Sequence, residues 1–272
     1  MDIDGPGTTR LTNSVLNGDE IGLRASGTGL LVVDSTTLKA NATALSLSGL
    51  DSELNNTIVS LHDGNGPATS LLEGHHQWDD VEVTKPYSSL DTSSVGIDAW
   101  YATIEASSLT TNGFAYGAEI EDTTLHSDVG SFINGKSRGI HAIDSDISIG
   151  SLTTTAQEEG IVLSDSSSLN VVDWVANLHN TPLLLEDDSL AQVRTFSPLN
   201  TAQGSSDAIG DGTFLYGGPT TSSVSTTNSG YLYETYVSFV DMNNQPIQAT
   251  SFAYGFVSEA DENGIASLPL LT

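Results

Sequence analysis

A short pattern of hydrophobic and polar positions recurs along most of the chain. A small residue is followed by an apolar residue, then by any residue, then by a second apolar or small residue before a polar turn. The first apolar residue, here called the anchor, recurs about every 22 residues. The repeats read Gly22-Leu23, Ala44-Leu45, Ser70-Leu71, Gly96-Ile97, Gly117-Ala118, Gly139-Ile140, Gly160-Ile161 and Pro182-Leu183.

A second apolar pair follows each anchor. Leu31 with Val33, and Ile147 with Ile149, show the alternation that is typical of a short, half-buried strand. Helical periodicity is nowhere sustained. Coils of this length with two or three short strands cannot bury their apolar faces alone, but stacked coils form a continuous core. We therefore predict a β-solenoid over residues 1–215, recognisable from about Thr8, with all eight anchors in one interior column.

Other repeat architectures fit the anchors less well. A leucine-rich repeat needs a Leu-x-x-Leu-x-Leu consensus, and a propeller blade needs about 40 residues. The pattern resembles the right-handed parallel β-helix of the pectate-lyase-like superfamily, and the usual chirality of parallel crossovers implies the right-handed form. The predicted fold class is all-β.

The C-terminal part has a different pattern. Residues 216–230, within a Gly-, Ser- and Thr-rich stretch, are predicted to be a linker, and 231–272 a separate β module. Residues 236–241 alternate as a strand, and turns are predicted at 243–246 and 260–264. This order resembles half of a carboxypeptidase-regulatory-like or related Ig-like module of surface proteins, which implies a non-catalytic spacer. Both ends of the chain look cut, so we expect a segment of a longer multidomain exoprotein.

The charge balance excludes some partners. The chain has 7 Lys and Arg against 35 Asp and Glu, a formal net charge of -28, which repels phosphate backbones. No apolar run is long enough for a transmembrane helix, so we expect neither nucleic-acid binding nor membrane insertion. Cysteine is absent, which excludes disulfides and thiol chemistry. An extracellular or cell-surface location is expected.

Two repeat spacings are longer than the others, and the extra residues fall within 61–70 and 74–94. We predict long loops there, and such loops are common places for binding or chemistry. Trp78, His62 and His76 are the candidate ligand-binding residues. If the protein is an enzyme, Asp79, Asp80 and His75 are the candidate catalytic residues, because paired carboxylates hydrolyse glycosides. The alternative is that these side chains are simply solvated.

An acidic residue also recurs four residues after the anchor on four successive coils. Stacking would place these carboxylates about 4.8 Å apart, where a hard cation such as Ca²⁺ would relieve their repulsion. The alternative is that Asp-Ser sequences make good turns at a solvated corner. The candidate metal ligands are Asp122, Asp144, Asp165 and Asp187.

Two classes of function remain open. The first is a non-catalytic structural or adhesive module that presents an acidic face to a polysaccharide or another surface protein. The second is a polysaccharide lyase or glycoside hydrolase with its site in residues 61–94. The polygalacturonase motifs are absent, and the few Lys and Arg residues that could act as a lyase base are scattered. Ice binding through threonine ladders is less well supported, because the hydroxyl residues do not align on one outward strand.

Overall fold

The computed structural model describes residues 1–86, 93–156, 158–177, 179, 181–199, 213–216, 229–238, 250–253, 256–259 and 265–271. All regular elements in these ranges are β-strands. They are β1 (Asp2–Asp4), β2 (Thr8–Thr12), β3 (Val15–Asn17), β4 (Ile21–Ser26), β5 (Leu30–Asp34), β6 (Thr37–Ala40), β7 (Thr43–Ser48), β8 (Asp51–Leu61), β9 (Pro67–Leu72), β10 (His75–Thr84), β11 (Val95–Trp100), β12 (Thr103–Asn112), β13 (Tyr116–Glu121), β14 (Thr124–Gly135), β15 (Arg138–Ile143), β16 (Asp146–Ala156), β17 (Glu159–Ser164), β18 (Ser168–Asn177), β19 (Thr181–Leu185), β20 (Leu190–Leu199), β21 (Thr213–Tyr216), β22 (Ser229–Ser238), β23 (Thr250–Ala253), β24 (Phe256–Glu259) and β25 (Ile265–Leu271).

The strands form a parallel β-solenoid, as predicted. A smaller sheet has the order β1-β4-β7-β9-β11-β13-β15-β17-β19, so each coil contributes one strand. A larger sheet takes the second strand of each coil and runs β2-β5-β8-β10-β12-β14-β16-β18-β20-β21-β22-β25, with β3 and β6 beside it. All pairings from β1 to β21 are parallel.

The predicted anchor column is present, with one correction. Leu23 pairs with Leu45, and Ile97, Ala118, Ile140, Ile161 and Leu183 continue the same position. Between Leu45 and Ile97 the position is held by Thr69, not by Leu71. Leu71 lies two residues further along the strand, in register with Leu47 and Ala99. Because side chains alternate between the two faces of a strand, a shift of two residues keeps Leu71 on the buried face. The hydrophobic pattern alone therefore could not reveal that Leu71 had been assigned to the wrong column.

The small residue before each anchor has a steric cause. At this position the chain passes close to the carbonyl of the next coil. An ideal Cβ on Gly139 would lie 2.5 Å from the carbonyl oxygen of Gly160, and one on Gly96 would lie 2.5 Å from that of Gly117. Real Cβ atoms do not approach so closely, so glycine dominates this column in the later coils.

The long strands of the larger sheet are bent. In β10 the buried side chains alternate from His76 to Trp78 and from Val81 to Val83, but Asp79 and Asp80 are both exposed between them. Two consecutive outward residues mark the change of direction, and Asp80 has a φ of 51°. The equivalent pair in β8 is Asn55 and Asn56.

The C-terminal strands change from parallel to antiparallel pairing. The start of β22 pairs in parallel with β21, and the rest of β22 pairs with β25 in antiparallel fashion. β23 and β24 form an antiparallel pair. The predicted turns at 243–246 and 260–264 lie outside the described residues, as does most of the predicted linker at 216–230. Where β22 meets β21, the larger sheet continues past the predicted end of the solenoid.

Candidate functional site

One corner of the solenoid requires a left-handed backbone. It follows each strand of the smaller sheet, and from β1 to β19 its occupants have a positive φ on every coil. In order along the axis they are Gly5, Gly27, Gly49, Glu73, Tyr101, Asp122, Asp144, Asp165 and Asp187. Glycine enters this region freely, and Asp and Asn do so more readily than other residues. The four aspartates therefore lie along one edge, as predicted, and the left-handed backbone favours their residue type.

Substitutions at this corner should follow the backbone requirement. Asp144 has a φ of 45° and is exposed. Asp144→Val should cost about 1–2 kcal/mol of the free energy of unfolding, because a β-branched residue strains in the left-handed region. Asp144→Asn should cost only a few tenths of that. Urea titration of both variants tests this prediction, and equal losses would contradict it.

The predicted calcium sites need a different test from the corner substitutions. Within the part of the chain that the structure describes, no group of three or more His, Asp or Glu side chains is placed to hold a metal ion. The metal prediction for this column therefore stays a prediction. Thermal unfolding in millimolar CaCl₂ and in NaCl of equal ionic strength tests it. A melting temperature that is higher in calcium only while Asp144 and Asp165 are intact supports ion binding. Equal melting temperatures in the two salts would mean that the aspartates serve only as corner residues.

The residues His75 to Asp80 do not lie in a loop. This part of the sequence prediction is wrong, because strand β10 covers His75 to Thr84. The strand was missed because its inward positions are His76 and Trp78 in place of aliphatic residues. Both are buried, and Trp78 is only 3 % exposed, so neither offers a ring face to a ligand in this structure.

A buried hydrogen-bond network holds these two side chains. Ser52 on the preceding coil lies 2.9 Å from Nδ1 of His76, and the indole Nε1 of Trp78 donates to the same hydroxyl at 3.4 Å. Nε2 of His76 lies 3.2 Å from the carbonyl oxygen of Glu73. A carbonyl can only accept, so Nε2 carries the proton and Nδ1 accepts from Ser52. Burial lowers the pKa of His76 from 6.5 to about 4. The imidazole is therefore neutral at pH 7 and has a structural role.

The outward residues of the same strands line an open groove. Four neighbouring strands, β8, β10, β12 and β14, each contribute two outward side chains just before the bend. The groove has a volume of about 550 Å³. Its outward lining residues, in strand order, are Glu53 and Asn55, Gln77 and Asp79, Glu105 and Ser107, and His126 and Asp128. We call this the acidic groove.

Two stacked columns build the acidic groove. Glu53, Gln77, Glu105 and His126 are in register on successive coils. Asp79 lies beside this column, next to Asn55, and accepts a hydrogen bond from the Ser107 hydroxyl. At the rim, Nε2 of His75 lies 3.4 Å from a Glu105 carboxylate oxygen.

The chemistry of the acidic groove follows from its donors and acceptors. It contains four carboxylates and neither Lys nor Arg among its lining residues. It can accept hydrogen bonds from hydroxyl and ammonium groups, and it repels uronates and phosphates. Stacked coils repeat every ~4.8 Å, so the strand positions that carry these carboxylates are about 5–10 Å apart over one or two coils, which is comparable to the separation of glycosidase carboxyl pairs.

The predicted site residues are only partly brought together. Asp79 lines the acidic groove, His75 lies at its rim, and Asp80 is exposed at the bend. His62 lies beyond the far end of β8, and its nearest acidic partner is Asp63 at 4.0 Å. The lining residues that the prediction missed are the outward positions of strands. Alternation with the buried apolar pairs would have identified them, once β10 was recognised as a strand.

The described part of the chain contains no helix that is long and apolar enough to cross a membrane. Comparisons with protein-family models, with curated proteins and with solved structures gave no significant match. The fold is therefore identified by its own register, as a parallel β-solenoid with a short antiparallel segment at its C-terminal end.

Proposed function

We propose that the chain is a non-catalytic structural and adhesive module of a surface or secreted protein, which binds a neutral or cationic glycan in the acidic groove. The observation that carries this proposal is the lining of the groove. Hydroxyl-binding side chains of four strands face solvent there, and no Lys or Arg lines it. An eliminating enzyme needs a base that removes a proton next to a uronate carboxylate, and this groove would repel that substrate.

The wider setting belongs to the same proposal. The parallel register supports a relationship to the pectate-lyase-like β-helices. The antiparallel pairing of β22 with β25 supports a C-terminal β module of the kind found in surface proteins. A continuous core through stacked coils makes a stiff rod. A net charge of -28 suits display in a salty or calcium-rich medium outside the cell.

A glycan array, with and without calcium, tests the proposal. We expect binding to neutral or amino-bearing glycans and none to polyuronates. The double variant Asp79→Asn, Glu105→Gln should lose at least tenfold in affinity for neutral glycans, because each residue supplies a charge-assisted acceptor. The control variant Asp173→Asn, Glu186→Gln removes the same charge from exposed positions elsewhere and should bind as the unmodified protein does. Equal binding by the groove variant and the control would contradict the proposal.

The spacing of the groove carboxylates favours glycoside hydrolysis as a second candidate function. Incubation with neutral polysaccharides, followed by an assay for reducing ends, separates the two. We expect no release. Reducing ends that appear with the unmodified protein and disappear with Asp79→Asn would replace the adhesive proposal by a hydrolase.

A further inference from the structure

A second concave site lies on the outer face of the smaller sheet. Asp98, Glu119 and His141 occupy one outward position on three successive coils, in β11, β13 and β15. Trp100 lies two residues after Asp98 and on the same face. With Glu121 and Ile143 from the adjoining column, these side chains line a cavity of about 140 Å³. None of these residues lines the acidic groove on the larger sheet.

Trp100 is both exposed and held in place. Its side chain is 44 % exposed, although most large apolar residues of the solenoid face the core. The indole Nε1 donates to Oδ1 of Asp98 at 2.8 Å. This bond fixes the orientation of the indole above the sheet. A fixed, exposed indole offers a flat apolar surface to a ring-shaped ligand.

The cavity carries an excess of negative charge. Asp98, Glu119 and Glu121 are its carboxylates, and His141 is the only basic side chain in its lining. Nδ1 of His141 lies 3.3 Å from Nη1 of Arg138 and 3.7 Å from Glu119. A guanidinium can only donate, so in the nearer contact Nδ1 of His141 is the acceptor.

The one nearby guanidinium is already engaged. Nε of Arg138 donates to Glu159 at 2.6 Å.

Burial raises the pKa of the Asp98 carboxyl, as expected where a carboxylate is partly removed from water. A cationic ligand would neutralise this group and would gain from the negative face of the indole.

We propose that this cavity binds one pyranose ring that carries a free amino group, as in a glucosamine unit, with Trp100 against the ring and Asp98 and Glu119 at the ammonium. The flat face of one indole matches the face of one six-membered ring, so this open cavity suits a single sugar unit. A neutral sugar would use the indole but leave the carboxylates without a cation. A uronate would be repelled. The site stands independently of the acidic groove.

Calorimetric titration of the Asp79→Asn, Glu105→Gln variant at physiological ionic strength tests the proposal, because this background removes the binding assigned to the acidic groove. The probes are glucosamine oligomers and N-acetylglucosamine oligomers of the same length, in which an acetyl group converts each ammonium into a neutral amide. We expect the glucosamine oligomer to bind at least tenfold more tightly, since charge-assisted hydrogen bonds are roughly twice as strong as neutral ones. Trp100→Ala and Asp98→Asn should each weaken its binding by about tenfold.

Two control variants separate this site from the general acidity of the protein. Asp173→Asn removes one exposed carboxylate from the larger sheet, and Leu72→Ala removes the exposed apolar side chain in register with Trp100. Both should keep the affinity within about twofold. Equal losses in Asp173→Asn and Asp98→Asn, or an unchanged affinity in Trp100→Ala, would mean that the oligomer is held by net charge alone, and would overturn the proposal. Absence of glucosamine-oligomer binding in the Asp79→Asn, Glu105→Gln variant itself, with Trp100 intact, would overturn it too and would assign the sugar to the acidic groove.

Discussion

The Ile140→Asp variant should fail to fold. Ile140 is completely buried in the anchor column, paired with Ala118 on one side and Ile161 on the other. An unpaired charge in such a core costs several kcal/mol, and the lost apolar contacts add to that. A domain has only about 5–15 kcal/mol of stability in total. Far-UV circular dichroism and thermal unfolding measure the result.

The matched control places the same charge on the outer surface of the solenoid. Val129 is also an apolar residue of a strand, but its side chain is 46 % exposed. Val129→Asp should therefore leave the melting temperature within a few degrees of that of the unmodified protein. An Ile140→Asp variant that unfolds at the same temperature as the unmodified protein would contradict the interior position of the anchor column.

His76 should make the stability of the fold depend on pH between about 4 and 6.5. Its pKa is about 4 in the folded protein and 6.5 as the ordinary value, because burial disfavours the charged form. Between these values the unfolded chain takes up a proton that the folded chain excludes. The contribution is complete above pH 6.5 and is lost as the pH falls towards 4. From pH 7.5 to pH 5 the loss should be about 2 kcal/mol.

Comparison of two histidine variants isolates this effect from the many carboxylates. The free energy of unfolding from urea titration should fall by about 2 kcal/mol less in His76→Gln than in the unmodified protein over that pH range. His126→Gln removes an exposed histidine two coils further along and should keep the full dependence. Identical pH profiles for the two variants would show that His76 is not held neutral by burial.

The architecture could be predicted because a solenoid repeats its pattern. The anchors could be identified from short stretches of sequence, since each coil presents the same pair of a small and an apolar residue at the same place. The Leu71 error arose where the coil is longer, and where Thr69 holds the anchor position in place of an aliphatic residue. Hydrophobicity alone cannot distinguish two inward positions of one strand.

The candidate sites were harder to predict for a different reason. His76 and Trp78 are polar enough to suggest a loop, but a hydroxyl from the preceding coil satisfies their nitrogens inside the core. That partner lies 24 residues away in the chain. The acidic groove and the Trp100 cavity also combine residues from several coils, so their composition depends on register. The spacing of the corner aspartates in the sequence was enough to predict that they form a column. Their positive φ values could be recognised only from the backbone conformation in the structure.

Stacking of consecutive coils in register is the claim on which every site described above depends. Because the chain has no cysteine, paired cysteines can test it directly. Thr124, Asp146 and Ser168 are register partners on three successive coils. Neighbouring strands lie about 4.8 Å apart, which is within the Cα separation that a disulfide accepts, whereas two strands span about 9.6 Å. Under mild oxidation, the 124/146 and 146/168 cysteine pairs should cross-link within the monomer, and the 124/168 pair should not. Cross-linking of the 124/168 pair, or of none of the three, would contradict the solenoid.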